Sequence, residues 1–484
     1  MPAPQFVEVG EVGILESPEA VLTTLDRDGT RTWLYPTPST GRFWKRRLVL
    51  GWALIAFFVA LPIVRINGKP AVLLDVMARE FTLFGATFYP TDTFYLLLFG
   101  LSALVSVFLL TALLGRVWCG WGCPQTVYLE FVYRPIERWI EGAEHVRKRR
   151  NEGPRTLDWL RRRTLKLAIY FAISVALAHV FVSYFVGWDR LLVWMRGDPR
   201  EHWGYFVMMA GTSALILYDF GYFREQMCTI ACPYARFQSV LMDEDSLIVS
   251  YDFTRGEARG KGKKQPDGVR YNKKTGEALG DCVDCKACVR TCPTGIDIRD
   301  GLQMECIACT QCIDACDAIM DKMDLPLGLI RYTSEHALEG QKTRVVRPRT
   351  VLYTLFFGAL VTALSVGVAT RGRYDVNVGR TVGQPFMELP DGTIANRLRF
   401  RVRNQTPRDA SFAIRALDPA AATLRVVGVQ PVPLAPQEMK RVEVWVVVPA
   451  ATFATDDEHA ARFALDFDDG TIHEVDYVLL GPSE

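Results

Sequence analysis

A multidomain membrane protein is predicted by three features of this sequence. Five apolar runs approach bilayer length, two four-cysteine runs stand between the fourth and fifth of them, and the last ~110 residues alternate apolar and polar side chains between turn residues. Together they predict an α-helical transmembrane bundle of about five spans, a two-cluster ferredoxin-like α+β segment and a C-terminal immunoglobulin-like β-sandwich. At 484 residues the chain exceeds one ordinary core, and a net charge of +2 implies no strongly acidic or basic partner. Hydrophobic residues make up 49%, but they gather in runs rather than spreading evenly. The expected division is 1–47, an N-terminal segment; 48–242, a four-span domain; 243–349, the ferredoxin-like domain; 350–370, the fifth span; and 371–484, the sandwich.

A helix needs about 20 apolar residues to cross the hydrocarbon core. The candidates are Leu48–Val64, Phe94–Gly115, Leu167–Gly187, Trp203–Phe220 and Thr350–Thr370, the fourth diluted by Gly204, Gly211 and Asp219. Lys45-Arg46-Arg47 precedes the first, and the loop after the second is crowded with cations from Arg116 to Lys166. The alternate loops carry only Arg65, Lys69 and Arg79, then Arg190, Arg196 and Arg200. By the positive-inside rule the N-terminus is cytoplasmic and the C-terminal domain periplasmic, in a bacterial inner membrane. Trp52, Trp188 and Trp203 sit near span ends, as interfacial aromatics do. No cleaved signal peptide is expected, because no basic region leads directly into an apolar one at the start. All twelve cysteines lie between Cys119 and Cys316, on the reducing side of this topology.

Cys282, Cys285, Cys288 and Cys292, followed by Pro293, form one C-x-x-C-x-x-C-x-x-x-C run. Cys306, Cys309, Cys312 and Cys316 form a second. This is the pattern of bacterial two-cluster ferredoxins, in which three cysteines wrap one 4Fe–4S cube and the fourth serves the other. Cluster I is therefore expected on Cys282, Cys285, Cys288 and Cys316, and cluster II on Cys306, Cys309, Cys312 and Cys292. Asp317 replaces the usual proline after the second run without touching a ligand. Zinc sites favour C-x-x-C pairs with longer separations, which disfavours that alternative.

Two further pairs, Cys119/Cys123 and Cys228/Cys232, each read C-x-x-x-C-P at the cytoplasmic end of a span. A helix continuing through the motif would put both sulfurs on one face, with the proline disrupting the next turn. The two motifs mark a weak internal repeat that brings four thiols toward one place. Three readings stand: the thiols bind a soft metal such as Cu(I), cycle between dithiol and disulfide, or pack as small apolar residues. Met227, Met242, His145, His179 and His202 read more simply as packing or solvated residues. The basic stretch Arg255–Lys274, with Lys261, Lys263, Lys264, Lys273 and Lys274, suits anionic headgroups and lacks the aromatic interleaving of a nucleic-acid site. No Gly-rich nucleotide loop is present.

Beyond Arg371, alternating stretches recur at Leu398–Val402, Phe412–Ala416, Leu424–Val427, Val442–Val448, Ala461–Phe467 and Val475–Leu480, with turns such as Asp391-Gly392 and Asp469-Gly470. Six or seven strands over this length read as a β-sandwich without the Cys–Trp–Cys core of antibody domains.

The order of these parts resembles the CcoG family, also called FixG or RdxA, accessory proteins of cbb-type cytochrome oxidase. The resemblance rests on Cys119/Cys123, Cys228/Cys232, the eight cysteines from Cys282 to Cys316, and the exported sandwich. It implies a cupric reductase: electrons from two 4Fe–4S clusters reduce Cu(II) to Cu(I) for oxidase assembly, with oxidase subunits or assembly factors as partners and an unknown electron donor. Two other functions remain open at this point. One is a quinol-oxidising ferredoxin-type subunit of a respiratory reductase, and the other is a non-redox assembly scaffold.

Overall fold

The computed structural model describes residues 23–482 apart from 26–29, 67, 89–91, 265–268, 273, 274, 371, 382, 407, 437 and 455. The described residues fall into two units. One runs to Val64 and includes Val72–Asp75 and Leu96–Thr362; the other includes Arg65–Ala71, Val76–Tyr95 and the residues from Ala363 onward. The helical bundle and the cysteine-rich segment thus share one unit.

Four helices among the described residues are long and apolar enough to cross a membrane: Thr93–Leu114, Leu157–Val186, Trp203–Phe223 and Pro348–Ala369. Their side chains Leu97, Leu104, Leu215 and Leu355 are exposed, as apolar groups are on a lipid-facing surface. The first expected span, Leu48–Val64, coincides with a helix, Arg42–Ala60, but the first six residues of that helix include Arg42, Lys45, Arg46 and Arg47. Those cations interrupt the apolar window, although nineteen residues still rise about 28 Å.

Local chemistry sets the helix ends. Thr156 caps Leu157–Val186 by accepting from the Trp159 amide, with Asp158 in the first turn where the helix dipole favours an anion. The N-terminus of Arg42–Ala60 has no cap of its own. Asp314, between Cys312 and Cys316, accepts from the Phe43 amide at 3.1 Å and the Trp44 amide at 2.7 Å. One carboxylate therefore ties the first helix to the second cysteine run. At the end of Trp203–Tyr218 the helix widens into a π turn, Asp219–Phe223, and a second π turn follows at Met227–Ala231.

The cysteine-rich segment is small and α+β. Ile248–Tyr251 pairs antiparallel with Ile330–Thr333, and helices Ala287–Thr291 and Gln311–Lys322 begin within the two cysteine runs. Val249, Ile296, Ile298, Ile313, Met320, Leu329 and Ile330 form its buried core with the cysteines. Of the basic stretch Arg255–Lys274, Arg255 turns inward to pair with Asp281 at 2.6 Å, while Lys273 and Lys274 lie outside the described residues.

The second unit contains the sandwich. A five-stranded sheet holds Tyr374–Arg380, Met387–Glu388, Thr393–Asn404, Thr423–Val426 and Met439–Pro449. A four-stranded sheet holds Ala410–Asp418, Val432–Leu434, Glu458–Phe467 and Ile472–Leu480. All six expected strands are present, joined by Tyr374–Arg380, Met387–Glu388 and Val432–Leu434, which the sequence reading passed over. Leu398, Phe400 and Val402 point into the core, while the intervening arginines lie on the other face. Phe400 meets Phe463 edge-on at 5.6 Å, and Tyr374 stacks on Phe467 at 3.6 Å. Gly392 (φ +77°) and Gly470 (φ +82°) supply the left-handed residues of the two Asp-Gly turns.

Phe400 is fully buried, so Phe400→Ala should destabilise the sandwich by about 3–5 kcal/mol. Limited proteolysis of the full chain during a urea titration should show the sandwich cleaved at lower urea, with the cysteine-rich segment unchanged.

Candidate functional site

The two cysteine runs adopt the same strained backbone. In the first, Asp284 (φ +50°) and Lys286 (φ +54°) flank Cys285; in the second, Ala308 (φ +50°) and Thr310 (φ +62°) flank Cys309. Side chains other than glycine rarely occupy this left-handed region, and such strain persists where surroundings impose it. Four instances at matched positions mark a loop wound around something. Each loop then enters a helix, with Cys288 and Cys312 in the first turns of Ala287–Thr291 and Gln311–Lys322.

Two cavities result. Cys292, Cys306, Cys309 and Cys312 line one of about 340 Å³, which Cys288 also borders. Cys282, Cys285, Cys288 and Cys316 line another of about 330 Å³. Apolar side chains make up much of the walls, with Val249, Ile296, Ile298 and Ile307 in the first beside Thr294 and Thr310, and Met320, Leu329 and Ile330 in the second beside Tyr251, Lys286 and Arg299. Burial pushes the thiols of Cys288, Cys306 and Cys309 up to about 11. Four sulfurs around each cavity are a donor set that fits a 4Fe–4S cube.

The C-x-x-x-C-P motifs differ from expectation in their backbone. The helix does not continue through them. Cys123 (φ −64°, ψ +126°) and Cys232 (φ −72°, ψ +111°) are extended, and Pro124 and Pro233 open new helices, Pro124–Tyr128 and Pro233–Leu241. A residue before proline is driven out of the α region, and proline suits the first helical position. The second cysteine of each motif thus stands at the residue before the first turn of a helix. All four thiols are free and partly buried. They share one electrostatic neighbourhood: Cys228 feels Cys123, Cys119 and Cys232, and Cys119 feels Cys123 and Cys232. Burial and Cys123 push Cys119 up to about 12, against Arg116. Burial also raises Cys123, against the amides of Thr126 and Gln125. The Cys119 thiol donates to Gln238 Oε1 at 3.2 Å. Among the described residues, no three His, Cys, Asp or Glu side chains are drawn close enough to bind a single metal ion.

The first motif lies directly on the second cysteine run. A Cβ on Gly120 would stand 2.5 Å from the Ile307 carbonyl oxygen, 2.7 Å from Cys309 Cα and 2.8 Å from Cys309 N. Only glycine fits there. Arg47, fully buried, donates from Nε to the Gly120 carbonyl at 2.9 Å. Arg116 donates to the carbonyls of Met304, of Cys306 at 3.3 Å, and of Ala235, beyond the second motif, at 3.2 Å. Trp121 Nε1 donates to Tyr332 Oη at 2.9 Å, which donates to the Ala308 carbonyl at 3.2 Å.

Behind this contact runs a buried ionic network. Glu137 accepts from Arg224 at 2.6 Å and Arg147 at 2.8 Å, with Lys166 Nζ 3.6 Å away. Glu225 joins Arg31 at 2.8 Å and Arg134 at 3.5 Å, and Arg134 also pairs with Glu130 and donates to the Pro293 carbonyl at 3.3 Å. Burial pushes the Glu137 carboxyl up, but Arg224, Lys166 and Arg147 override it and hold it well below the usual carboxylate range. Sequence reading took Arg47, Arg116, Arg134, Arg147 and Lys166 as topological cations and did not single out Gly120 or Gln238. The minor candidates behave as expected: His145 is exposed, His179 bonds the Val175 carbonyl at 2.7 Å, and His202 stacks on Trp194 at 4.2 Å.

Comparison with known proteins follows these parts. A family described as "4Fe-4S binding domain" matches residues 96–146, which hold the first motif, and "4Fe-4S dicluster domain" matches 223–335, which hold the second motif and both cysteine runs. "IG-like fold at C-terminal of FixG, putative oxidoreductase" matches 364–482. The nitrogen fixation protein FixG of Rhizobium meliloti is 32% identical over 92% of this chain and 91% of its own. RdxA of Cereibacter sphaeroides is 35% identical over 81% of this chain and 83% of its own, and RdxB of the same organism 34% over 82% and 84%. The chain therefore belongs to the FixG/RdxA family of iron–sulfur electron-transfer proteins.

Proposed function

We propose that the chain carries electrons from a cytoplasmic donor through two 4Fe–4S clusters to Cu(II) at Cys119, Cys123, Cys228 and Cys232, releasing Cu(I) for assembly of a cbb-type cytochrome oxidase. In this reading Cys282, Cys285, Cys288 and Cys316 hold cluster I, and Cys292, Cys306, Cys309 and Cys312 hold cluster II. The clusters supply one-electron carriers when bound. The observation that carries the reading is the Gly120–Cys309 contact, which brings the Cys119–Cys123 loop against the cluster II loop.

The residues divide the work as follows. Cys119 and Cys123 present soft donors on one arm and Cys228 and Cys232 on the other, suited to Cu(I) over Cu(II). Gln238 orients the Cys119 thiol. Arg116 spans from the second arm to the cluster II loop through Ala235 and Cys306. Each Cu(II) takes one electron, and the thiols release protons as they bind it.

A cytoplasmic location for the clusters and the N-terminus, in an inner membrane, agrees with the cation bias of the loops. It also agrees with the bonding of the N-terminal segment. Thr37 donates to Arg290 and accepts from Thr291, and Ser39 donates to Gln311, so this segment lies on the side of the cysteine runs. For Thr93–Leu114 to end on that same side, at Cys119, it must start from the other. Arg42–Ala60 is then the helix that takes the chain across.

One observation favours quinol oxidation as a second reading. A cleft of about 1110 Å³ lies near the ends of Leu157–Val186 and Trp203–Phe223, with Trp33, Tyr35, Glu137, Glu141, Tyr170 and Arg224 on its walls. That reading expects a water-soluble quinol analogue to reduce the clusters.

Anaerobically purified protein should hold about eight irons per chain, and Cys309→Ser should lose roughly half of them. Iron analysis giving four or fewer in the wild type would remove the two-cluster account. Cu(II) reduction by the dithionite-reduced protein, followed with a Cu(I) chelator, should slow at least about tenfold in Cys119→Ala and in Cys228→Ala. Unchanged rates in both variants would take the thiols out of the mechanism.

A further inference from the structure

The arginines around the two cysteine cavities are unequally neutralised. Exposed Lys286 lines the cavity of Cys282, Cys285, Cys288 and Cys316, and Arg270 stands near Cys282 with Asp281 as its foremost charged neighbour. The buried lining cation is Arg299, which pairs with Asp297 at 2.6 Å and Asp284 at 2.7 Å. Its charge is matched twice over. Beside the loop of Cys306–Cys312 stand Arg47 and Arg116, both buried, and among the described residues neither has a carboxylate at ion-pair distance. Arg47 meets a carbonyl through Nε alone; its Nη1 and Nη2 are buried without a partner. Cys309 heads its electrostatic neighbours, as Cys306 does for Arg116. The carboxylate in the vicinity of Arg47, Asp314, is already bonded to the Phe43 and Trp44 amides.

We propose that Arg47 and Arg116 hold the cluster of Cys292, Cys306, Cys309 and Cys312 at a higher reduction potential than its neighbour, and so direct electrons toward the membrane thiols. The inference rests on the two-cluster part of the reading above and is independent of copper. Reduction adds one negative charge to a cluster, and a desolvated cation nearby stabilises the reduced form. Burial keeps water from screening that attraction, whereas the Arg299 charge is cancelled by its two carboxylates. One electron leaves the cluster of Cys282, Cys285, Cys288 and Cys316, which is oxidised by one unit, and the other is reduced by one unit. Arg47 and Arg116 are positioning residues in this scheme, since they touch loop backbone rather than substrate.

The test is an EPR-monitored potentiometric titration of the full-length protein in detergent, with iron content measured in parallel. Wild type should titrate in two separated one-electron steps. Arg47→Gln should lower the upper step by at least a tenfold change in its reduction equilibrium, about 59 mV for one electron, and leave the lower step in place. Arg47→Lys, which keeps the charge, should stay near wild type. If Arg47→Gln does not retain eight irons, Arg116→Gln carries the same expectation by itself. Unmoved potentials, equal movement of both steps, or a lysine variant shifted as far as the glutamine one would each overturn the proposal. A wild type with four irons would instead remove the two-cluster reading itself.

Discussion

The close approach of Gly120 to the Cys309 backbone is the constraint on which the arrangement of the first unit turns. A Cβ at Gly120 would stand 2.5–2.8 Å from three backbone atoms, so the membrane-face motif and the second cysteine run leave no room for a side chain between them. The neighbouring bonds are consistent with that contact: Arg47 holds the Gly120 carbonyl, Trp121 reaches Ala308 through Tyr332, and Arg116 grips the Met304 and Cys306 carbonyls. Arg116, Trp121 and Tyr332 thus act on three residues of the loop, Met304, Cys306 and Ala308, while Arg47 holds Gly120 itself. A cysteine-rich segment fastened this way is part of the helical unit rather than a tethered satellite.

Holding that contact costs buried charge. Glu130, Arg134, Glu137, Arg147, Arg224 and Glu225 are all desolvated, which is unfavourable unless every charge finds a counter-charge in good geometry. Here the acids and bases alternate through a continuous chain that ends on the Pro293 carbonyl, beside Cys292. Such a network adds little net stability over apolar packing, but removing one member strands its neighbour. Its effect is to fix the register between the helix ends and the cysteine loops, where π turns at Leu129–Tyr133 and Asp219–Phe223 already depart from regular helix.

What the sequence revealed was what depends on neighbours along the chain. Cysteines three apart dictate a wound loop whatever surrounds them, and the positive φ angles at Asp284, Lys286, Ala308 and Thr310 are its backbone signature. Strand alternation in the sandwich is equally local, although Met387–Glu388 and Val432–Leu434 were too short to show a period. The cations failed for the opposite reason. Arg47 meets Gly120 across 73 positions and Gln238 meets Cys119 across 119, so nothing nearby separates a buried arginine from the topological ones beside it. The helix break at Cys123 and Cys232 was legible in principle, because a residue before proline is seldom helical, yet the apolar run leading into the motif outweighed that cue.

The two C-x-x-x-C-P motifs share a backbone and differ in surroundings. In each, the second cysteine is extended and immediately precedes a proline-led helix. The first arm packs on the Cys309 loop without an intermediary, whereas the second reaches that loop through Arg116 at Ala235 and reaches the first arm through Gln238. Repetition of one motif therefore gives an inner arm whose backbone meets the Cys309 loop and an outer arm joined to the first by side chains.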